Sequence, residues 1–158
     1  WSPDFSGRWR PLNVSRAVVK GLEGEGSLSI PMSFGLLGIL DSSFTWMQAH
    51  DRSGDRNLDG KLLPRRPSFK SGSGLRLSWR QRVGMHVRSR FVSYRWLDAP
   101  NVSYLPGYLT IQAGLSVEPA QDLVFAFTIH NLTDVQARDL NEYPLPGRQW
   151  ELRTSVGF

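Results

Sequence analysis

The residues best suited to hold a metal ion form an acidic segment near 51–59. The stretch Asp55-Arg56-Asn57-Leu58-Asp59-Gly60 carries the oxygen donors and the glycine that open a calcium-binding loop. The pattern fails at its twelfth position, which is Arg66, where a bidentate Glu is needed. We therefore expect a solvated turn, and the alternative is a weak calcium site whose candidate ligands are Asp51, Asp55, Asn57 and Asp59.

Other residue types that support catalysis or metal binding are sparse. His50, His86 and His130 lack metal-type spacing, and no surrounding motif combines them with Ser and Asp as a catalytic triad. Cys is absent, which excludes a disulfide framework, a thiolate zinc site and a cysteine nucleophile. We expect a protein that is not an enzyme and has no cofactor.

The cationic chemistry of this chain is concentrated in arginine. There are 16 Arg and 3 Lys, and the formal net charge is +5. A nucleic-acid-binding ribbon is one interpretation of the six Arg within one predicted hairpin. Four of the six alternate with an apolar row and so share its opposite face; they are Arg76, Arg80, Arg88 and Arg90. This arrangement favours a polar inner surface that faces another domain or an anionic ligand. We expect no nucleic-acid partner. The six are Arg76, Arg80, Arg82, Arg88, Arg90 and Arg95.

The elements that would position these residues are β-strands, and the last ten residues show the pattern. One face carries Trp150, Leu152, Thr154, Val156 and Phe158, while the residues between them are polar or small. The apolar row continues to an aromatic at the final residue. This two-faced pattern suits a transmembrane barrel strand, with lipid on one side and a wet lumen on the other.

Alternation predicts seven strands and no helix. Their ranges are 15–30, 36–49, 68–80, 85–97, 107–117, 122–131 and 149–158. The fifth alternates most clearly. In the fourth, alternation is lost after Phe91, which predicts either a bulge or an exit from the apolar zone. No apolar run approaches the roughly 18 residues of a spanning helix.

The predicted connections alternate strictly between short and long. Short turns are expected at 31–35, 82–84 and 118–121, and long polar connections at 1–14, 50–67, 98–106 and 132–148. In an up-and-down sheet this places every long connection on one rim. Outer-membrane barrels have this asymmetry, whereas a soluble Greek-key sandwich has no reason to sort its loops.

Seven strands do not make a complete bacterial barrel. Single-chain barrels have even strand numbers, and open sheet edges in hydrocarbon cost several kcal/mol for each unsatisfied backbone group. We therefore expect residues 1–158 to be the carboxyl-terminal portion of a larger barrel, with earlier strands preceding Trp1.

Short motifs in a fixed order resemble the carboxyl-terminal signature of TonB-dependent outer-membrane receptors. An Asn-Leu-Thr-Asp step at 131–134 resembles the end of that family's penultimate strand, and Pro-Gly-Arg at 146–148 the opening of its last strand. The resemblance assigns the family motif to Asn131, Leu132, Asp134, Pro146, Gly147 and Arg148. It assigns the signal read by the assembly machinery to Trp150, Leu152, Val156 and Phe158.

The resemblance carries expectations about the whole protein. It implies an antiparallel up-and-down transmembrane β-barrel of 22 strands, plugged by an amino-terminal domain that is absent here along with the earlier strands. It also implies a place in the outer membrane of a Gram-negative bacterium, in contact with lipid and lipopolysaccharide. Such a receptor imports a scarce ligand, such as a ferric siderophore or cobalamin, with energy delivered by TonB to a segment upstream.

Two other functions fit the same residues. A passive porin-type barrel has the same lipid-facing pattern and lacks a plug, and a soluble all-β binding module is the second alternative.

Four of the tryptophans have two interpretations. Trp46, Trp79, Trp96 and Trp150 are expected in the membrane-interface girdle, with a platform for an aromatic ligand as the alternative.

Overall fold

The computed structural model describes residues 16–138 and 143–157, together with the backbone of two short strands, Ser2–Pro3 and Trp9–Arg10. Seven long strands form one antiparallel sheet in which each strand pairs with its neighbour in sequence. They are β1 Ala17–Met32, β2 Leu36–Asp51, β3 Phe69–Trp79, β4 Val83–Val92, β5 Tyr108–Ala120, β6 Leu123–His130 and β7 Gln149–Val156. The predicted all-β, up-and-down arrangement is confirmed.

The strand register brings the apolar residues into continuous rows. Reading across the sheet from β1 to β7, one row joins cross-strand partners Leu28, Leu40, Leu75, Val87, Ala113, Ile129 and Trp150. The rows of the opposite face carry mainly polar and small residues, because side chains alternate along every strand. Leu37, Ile39 and Met47 of β2 are among the exceptions. We call these two surfaces the apolar face and the polar face.

The sheet has almost no interior of its own. Among the described residues, the buried apolar side chains are Ala49, Val92, Leu105 and Ala137, while large apolar side chains on all seven strands remain exposed. An exposed apolar surface of this extent needs a covering layer. Within the described residues, no helix is long and apolar enough to cross a membrane.

The fourth predicted strand is too long. The structure ends β4 at Val92, and Arg95–Trp96 instead pairs with Tyr104–Leu105 in a separate two-stranded ladder. The two ladders keep one register, since Val92 pairs with Tyr108 and Arg95 with Leu105. The interruption faces Pro106, which has no N–H to donate. The loss of alternation after Phe91 therefore marks the exit from the main sheet.

Two tight turns lie a few residues from their predicted positions. The turn predicted at 82–84 is centred on Arg80 and Gln81, whose φ angles are 48° and 59°, and the Arg82 N–H donates to the Trp79 carbonyl at 3.0 Å. The turn predicted at 118–121 lies at 121–122, because β5 continues through a bulge around Pro119. Non-glycine residues with positive φ gave no recognisable turn signal.

The predicted sorting by length is confirmed for the connections between the seven strands, whereas most of the predicted long connection at 1–14 lies outside the described residues. The tight turns, including the short 3₁₀ turn Ser33–Gly35, all lie at one end of the sheet. The long connections at 52–68, 93–107 and 131–148 lie at the other end, and we call them the first, second and third long loops. Within the described residues, β1 and β7 each have one neighbour in the main sheet, so both edges are open.

Candidate functional site

The three long loops are joined by side-chain and backbone hydrogen bonds into one surface at their rim of the sheet. Asn101 of the second loop accepts a bond from the Leu62 N–H at 2.9 Å and donates to the Leu62 carbonyl at 2.8 Å, which couples it to the first loop. The Arg65 N–H donates to the Trp96 carbonyl at 2.6 Å. This rim is the candidate entrance for a ligand, because the loops are both exposed and held by the scaffold.

The acidic segment of the first long loop bonds mainly to its own backbone. The Asp51 carboxylate is buried and accepts the Ser53 N–H at 2.7 Å, and Asp55 accepts the Asn57 N–H at 2.8 Å. Asp59 lies 3.6 Å from the Arg52 guanidinium. No cluster of three or more acidic or His side chains suited to a metal ion occurs among the described residues. Calcium binding by Asp51, Asp55, Asn57 and Asp59 stays a prediction.

The family-motif residues of the third long loop hold that loop together. The Asn131 side chain is buried, accepts the Val135 N–H at 2.9 Å and donates to the carbonyls of Val135 and Pro146. Asp134 accepts the Arg148 N–H at 2.8 Å. Both residues have a positive φ, which Asn and Asp tolerate better than most side chains.

In the same motif, Gly147 allows a close approach to Asp134, and Leu132 contributes a backbone hydrogen bond. A Cβ atom added at Gly147 would lie 2.9 Å from the Asp134 carboxylate oxygen, so a side chain there would displace the Asp134 contact. The Leu132 N–H donates to the Ile111 carbonyl at 2.7 Å, which extends the β5–β6 pairing beyond the end of β6. The motif therefore extends the pairing of β6 past its last residue and holds the loop in the conformation that leads into β7.

The second and third long loops meet at Arg95. Its side chain is buried and donates from Nη2 to the Arg138 carbonyl at 2.8 Å, whereas its Nε has no hydrogen-bond partner. Beside this contact the loops enclose a groove of about 400 Å³, lined by Leu105, Tyr108, Ala137 and Arg138 among others. Its volume is within the range of small-molecule sites.

An aromatic cluster lies in the second long loop. Tyr94, Trp96 and Tyr104 pack edge to face, with ring centroids 5.8 to 6.2 Å apart. Trp96 therefore lies outside the main sheet. The other tryptophans predicted for a girdle, Trp46, Trp79 and Trp150, lie on the apolar face near strand ends.

The residues expected to be read during assembly lie together on the apolar face of the β7 edge. Trp150, Leu152 and Val156 are 63%, 76% and 58% exposed. The Trp150 ring stacks on Phe127 of β6 at 5.8 Å between centroids. Phe158 lies outside the described residues, and the role of all four residues in assembly stays a prediction.

The hairpin arginines divide between two places. Arg76, Arg88 and Arg90 lie on the polar face, as predicted, paired across the strands with His86, Gly74 and Gly72. Arg80 lies in the turn, with its guanidinium carbon 5.2 Å from the centre of the Trp79 ring. The predicted separation from the apolar row is confirmed for Arg76, Arg88 and Arg90 and is wrong for Arg80, because the turn carries Arg80 over the Trp79 ring.

Sequence reasoning missed the residues that connect the long loops. Asn101 and Asp98 lie in the predicted connection at 98–106, and Arg95 lies in the predicted fourth strand, where it was expected to contribute charge rather than a contact between loops. Asp98 accepts the N–H groups of Val102 and Ser103, both at 2.8 Å, which shapes the tip of the second loop. The turn-forming residues Asp98, Pro100 and Asn101 are the clue that the sequence offered.

The comparisons with known proteins agree with this architecture. Residues 2–132 match the family model described as TonB dependent receptor-like, beta-barrel. The chain therefore belongs to the TonB-dependent receptor-like β-barrel family. The match ends within the Asn-Leu-Thr-Asp step, so the segment from Thr133 onward lies beyond it. No curated protein matches this chain.

Solved structures of three receptors have a similar fold. The ferric yersiniabactin uptake receptor FyuA from Yersinia pestis is 17% identical with a TM-score of 0.72, over 90% of this chain and 24% of its own. The siderophore receptor PiuA from Acinetobacter baumannii is 15% identical with a TM-score of 0.72, over 89% of this chain and 22% of its own. The ferric enterobactin receptor PfeA from Pseudomonas aeruginosa, as its G324V mutant, is 20% identical with a TM-score of 0.66, over 92% of this chain and 23% of its own. The chain thus spans about a quarter of each receptor.

Proposed function

We propose that the full-length protein is an outer-membrane receptor that imports a scarce ligand, such as a ferric siderophore or cobalamin, in a Gram-negative bacterium. The observation that carries the proposal is the register. It gives a sheet with a continuous apolar face, a polar opposite face and all long loops at one rim. Lipid would cover the apolar face, and the rim would face the medium.

The lipid partners follow from this placement, and the plug domain and TonB follow from the family to which the chain belongs. Lipid and lipopolysaccharide contact the apolar face, and an amino-terminal plug domain of the same protein fills the lumen. TonB engages a segment upstream of the chain described here. The outer-membrane assembly machinery reads the β7 edge with Trp150, Leu152, Val156 and Phe158. The solved receptors of similar fold include those named for ferric yersiniabactin and ferric enterobactin, which supports an iron chelate as the first ligand class to test.

The test is energy-dependent uptake by cells that express the full-length protein. Iron-limited cells would receive ⁵⁵Fe bound to a catecholate, a hydroxamate or citrate, and in parallel ⁵⁷Co-cobalamin, with and without TonB. We expect saturable accumulation of one ligand that disappears without TonB. Accumulation that persists without TonB would favour the porin-type alternative. Recovery of the protein from the aqueous fraction would favour the soluble binding module.

A further inference from the structure

Two tight turns at one end of the sheet are fastened to each other, and we call them the turn pair. The turn pair comprises residues 33–35 and 80–81. The Trp79 indole N–H donates to the Phe34 carbonyl at 3.2 Å, and the Arg80 N–H donates to the Gly35 carbonyl at 2.8 Å. A Cβ atom added at Gly35 would lie 3.2 Å from Cγ of Arg80, so the stem of that side chain passes close over Gly35. The turn pair is therefore one surface with a defined shape.

Phe34 presents an aromatic ring at the tip of the turn pair. It is 89% exposed, more than any other large apolar residue in the described part of the chain. Its φ angle is 62°, a left-handed conformation that bulky side chains rarely adopt and that glycine adopts without strain. The ring therefore does not help the turn to form, and its exposure indicates a partner outside the sheet.

The turn pair lies where the apolar face ends. Met32, Leu36, Trp79 and Val83 are successive cross-strand partners and form the last row of that face. Trp46 lies ten residues after Leu36 on β2, and a tilted strand crosses the hydrocarbon of a bilayer in about 9–11 residues. Trp46 and Trp79 thus fit the two boundaries of the hydrocarbon. With lipid on the apolar face, the turn pair would lie at the level of the phosphates in the inner leaflet.

Arg80 is a cation with a defined position at this boundary. Its guanidinium carbon is 5.2 Å from the centre of the Trp79 ring, and it has no ion pair or side-chain hydrogen bond within the described residues. Glu118, near the same end of the sheet, lies opposite Arg82 on the polar face. A guanidinium stacked on an aromatic ring keeps its in-plane N–H groups available for bidentate bonds to phosphate oxygens.

We propose that the turn pair binds an anionic phospholipid of the inner leaflet, with the lipid phosphate on Arg80 and an acyl chain against the Phe34 ring. The proposal rests on the proposed function, which supplies the bilayer. The Leu36–Trp79 pair joins the apolar face to the turn pair without a break, so one lipid can contact both. Among the described residues, no Asp or Glu lies on the apolar face of β1 to β4 to hold the ammonium of a zwitterionic headgroup. An anionic headgroup such as phosphatidylglycerol is therefore favoured.

The experiment identifies the molecule that contacts position 34 in the full-length receptor. Phe34→benzoylphenylalanine places a photoreactive aromatic group at the tip of the turn pair. The receptor is irradiated in phosphatidylcholine vesicles that contain phosphatidylglycerol as a minor component, and mass spectrometry gives the ratio of the two lipids among the adducts. R80Q is added to this receptor, and R82Q is the matched control, since it removes the same charge from the polar face of the same hairpin.

Heat-modifiable gel mobility shows that each receptor is folded. R80N replaces R80Q if that variant fails to fold, because Asn tolerates the φ angle of 48° at this position. Leu115→benzoylphenylalanine is the reference for lipid contact, since Leu115 lies on the apolar face of β5 and is 54% exposed.

We expect phosphatidylglycerol to be enriched about tenfold over its share of the bilayer in the labelled receptor and in R82Q, because a hydrogen bond to a charged group is strong. In R80Q the enrichment should disappear. Equal lipid ratios in R80Q and R82Q would overturn the proposal. Irradiation of cells that gave a protein adduct in place of lipid would also overturn it and assign the surface to a periplasmic partner.

The reference label separates this proposal from the proposed function. Lipid adducts at Leu115 without lipid adducts at Phe34 would overturn the site on the turn pair and leave the barrel in the membrane. The absence of lipid adducts at both positions would contradict the membrane placement itself, and so the proposed function.

Discussion

At the residue scale, Asn131 shows how a sequence motif can serve the scaffold of a binding surface. Its side chain bonds to Val135 and Pro146, which lie at the two ends of the third long loop. Asp134 closes the same loop onto Arg148. Neither side chain is free to hold a ligand in this arrangement. We infer that the motif fixes the geometry of the loop and leaves ligand contacts to other residues.

Replacing Asn131 with Ala should loosen the third long loop and leave the sheet intact. The substitution removes three hydrogen bonds and leaves buried backbone groups without partners, which lowers the local stability by roughly 1–3 kcal/mol. The measurement is hydrogen exchange of the Val135 and Arg148 amides in the full-length receptor, which should become faster. Asn57→Ala in the first loop is the control. Unchanged exchange at both amides would show that the loop is held by other contacts.

The residues that hold the third long loop could be singled out from the sequence, but the contacts between loops could not, for a physical reason. Asn131 and Asp134 act within a few residues or across one loop, so their spacing is visible in a linear pattern. Asn101 and Arg95 bond to Leu62 and Arg138, which are 39 and 43 residues away. Such pairs depend on which strands are neighbours and on how far each hairpin extends above the sheet.

At the element scale, β5 has the sharpest difference between its two faces. Ile111 lies on the apolar face, and Gln112 points to the polar face beside His86, with Nε2 of the two side chains 3.4 Å apart. Ile111→Arg should destabilise the barrel by roughly 2–4 kcal/mol because a charge would enter lipid near the middle of the strand. Gln112→Arg should be far milder. The measurement is urea unfolding of the receptor in lipid vesicles, and equal losses would contradict the assignment of faces.

The two rims should differ in accessibility from outside the cell. Epitope tags inserted after Gly54 or Val102 should bind antibody on intact cells, since both lie in long loops and Val102 is 76% exposed. Insertion at Val102 is better than at Asn101, whose side chain holds Leu62. Tags after Ser33 or Gln121 should bind only after the outer membrane is opened. Antibody binding to the tight turns of intact cells would invert the orientation.

Most strand ranges followed from alternation alone, and the exceptions have identifiable causes. All seven predicted strands exist, because a period of two over ten residues is a strong signal when each face has its own environment. The fourth ended at Val92, two residues before the position opposite Pro106, and the fifth continued through Pro119 by forming a bulge. Backbone effects of proline depend on the partner strand, which a linear pattern does not specify.

At the scale of the whole molecule, β7 should matter for assembly more than for binding, because its outer edge stays unpaired until the barrel closes on its first strand. Leu152 is 76% exposed on the apolar face and pairs with Phe127. Leu152→Asp should lower the amount of receptor in the outer membrane, while ligand binding per folded receptor stays near normal. Ser155→Asp, on the polar face of the same strand, is the control. Normal abundance of the Leu152 variant would count against an assembly signal in β7, whose last expected residue is Phe158.

The central claim is that lipid covers the apolar face, and β5 allows the most direct test. Single nitroxide labels at each position from 108 to 117 of the full-length receptor, in outer-membrane lipid, would report collisions with oxygen and with a water-soluble nickel chelate. We expect oxygen contact to peak at Leu109, Ile111, Ala113, Leu115 and Val117 and to fall at the residues between them. Peaks in contact with the nickel chelate at these five positions would place the apolar face in water and contradict the account.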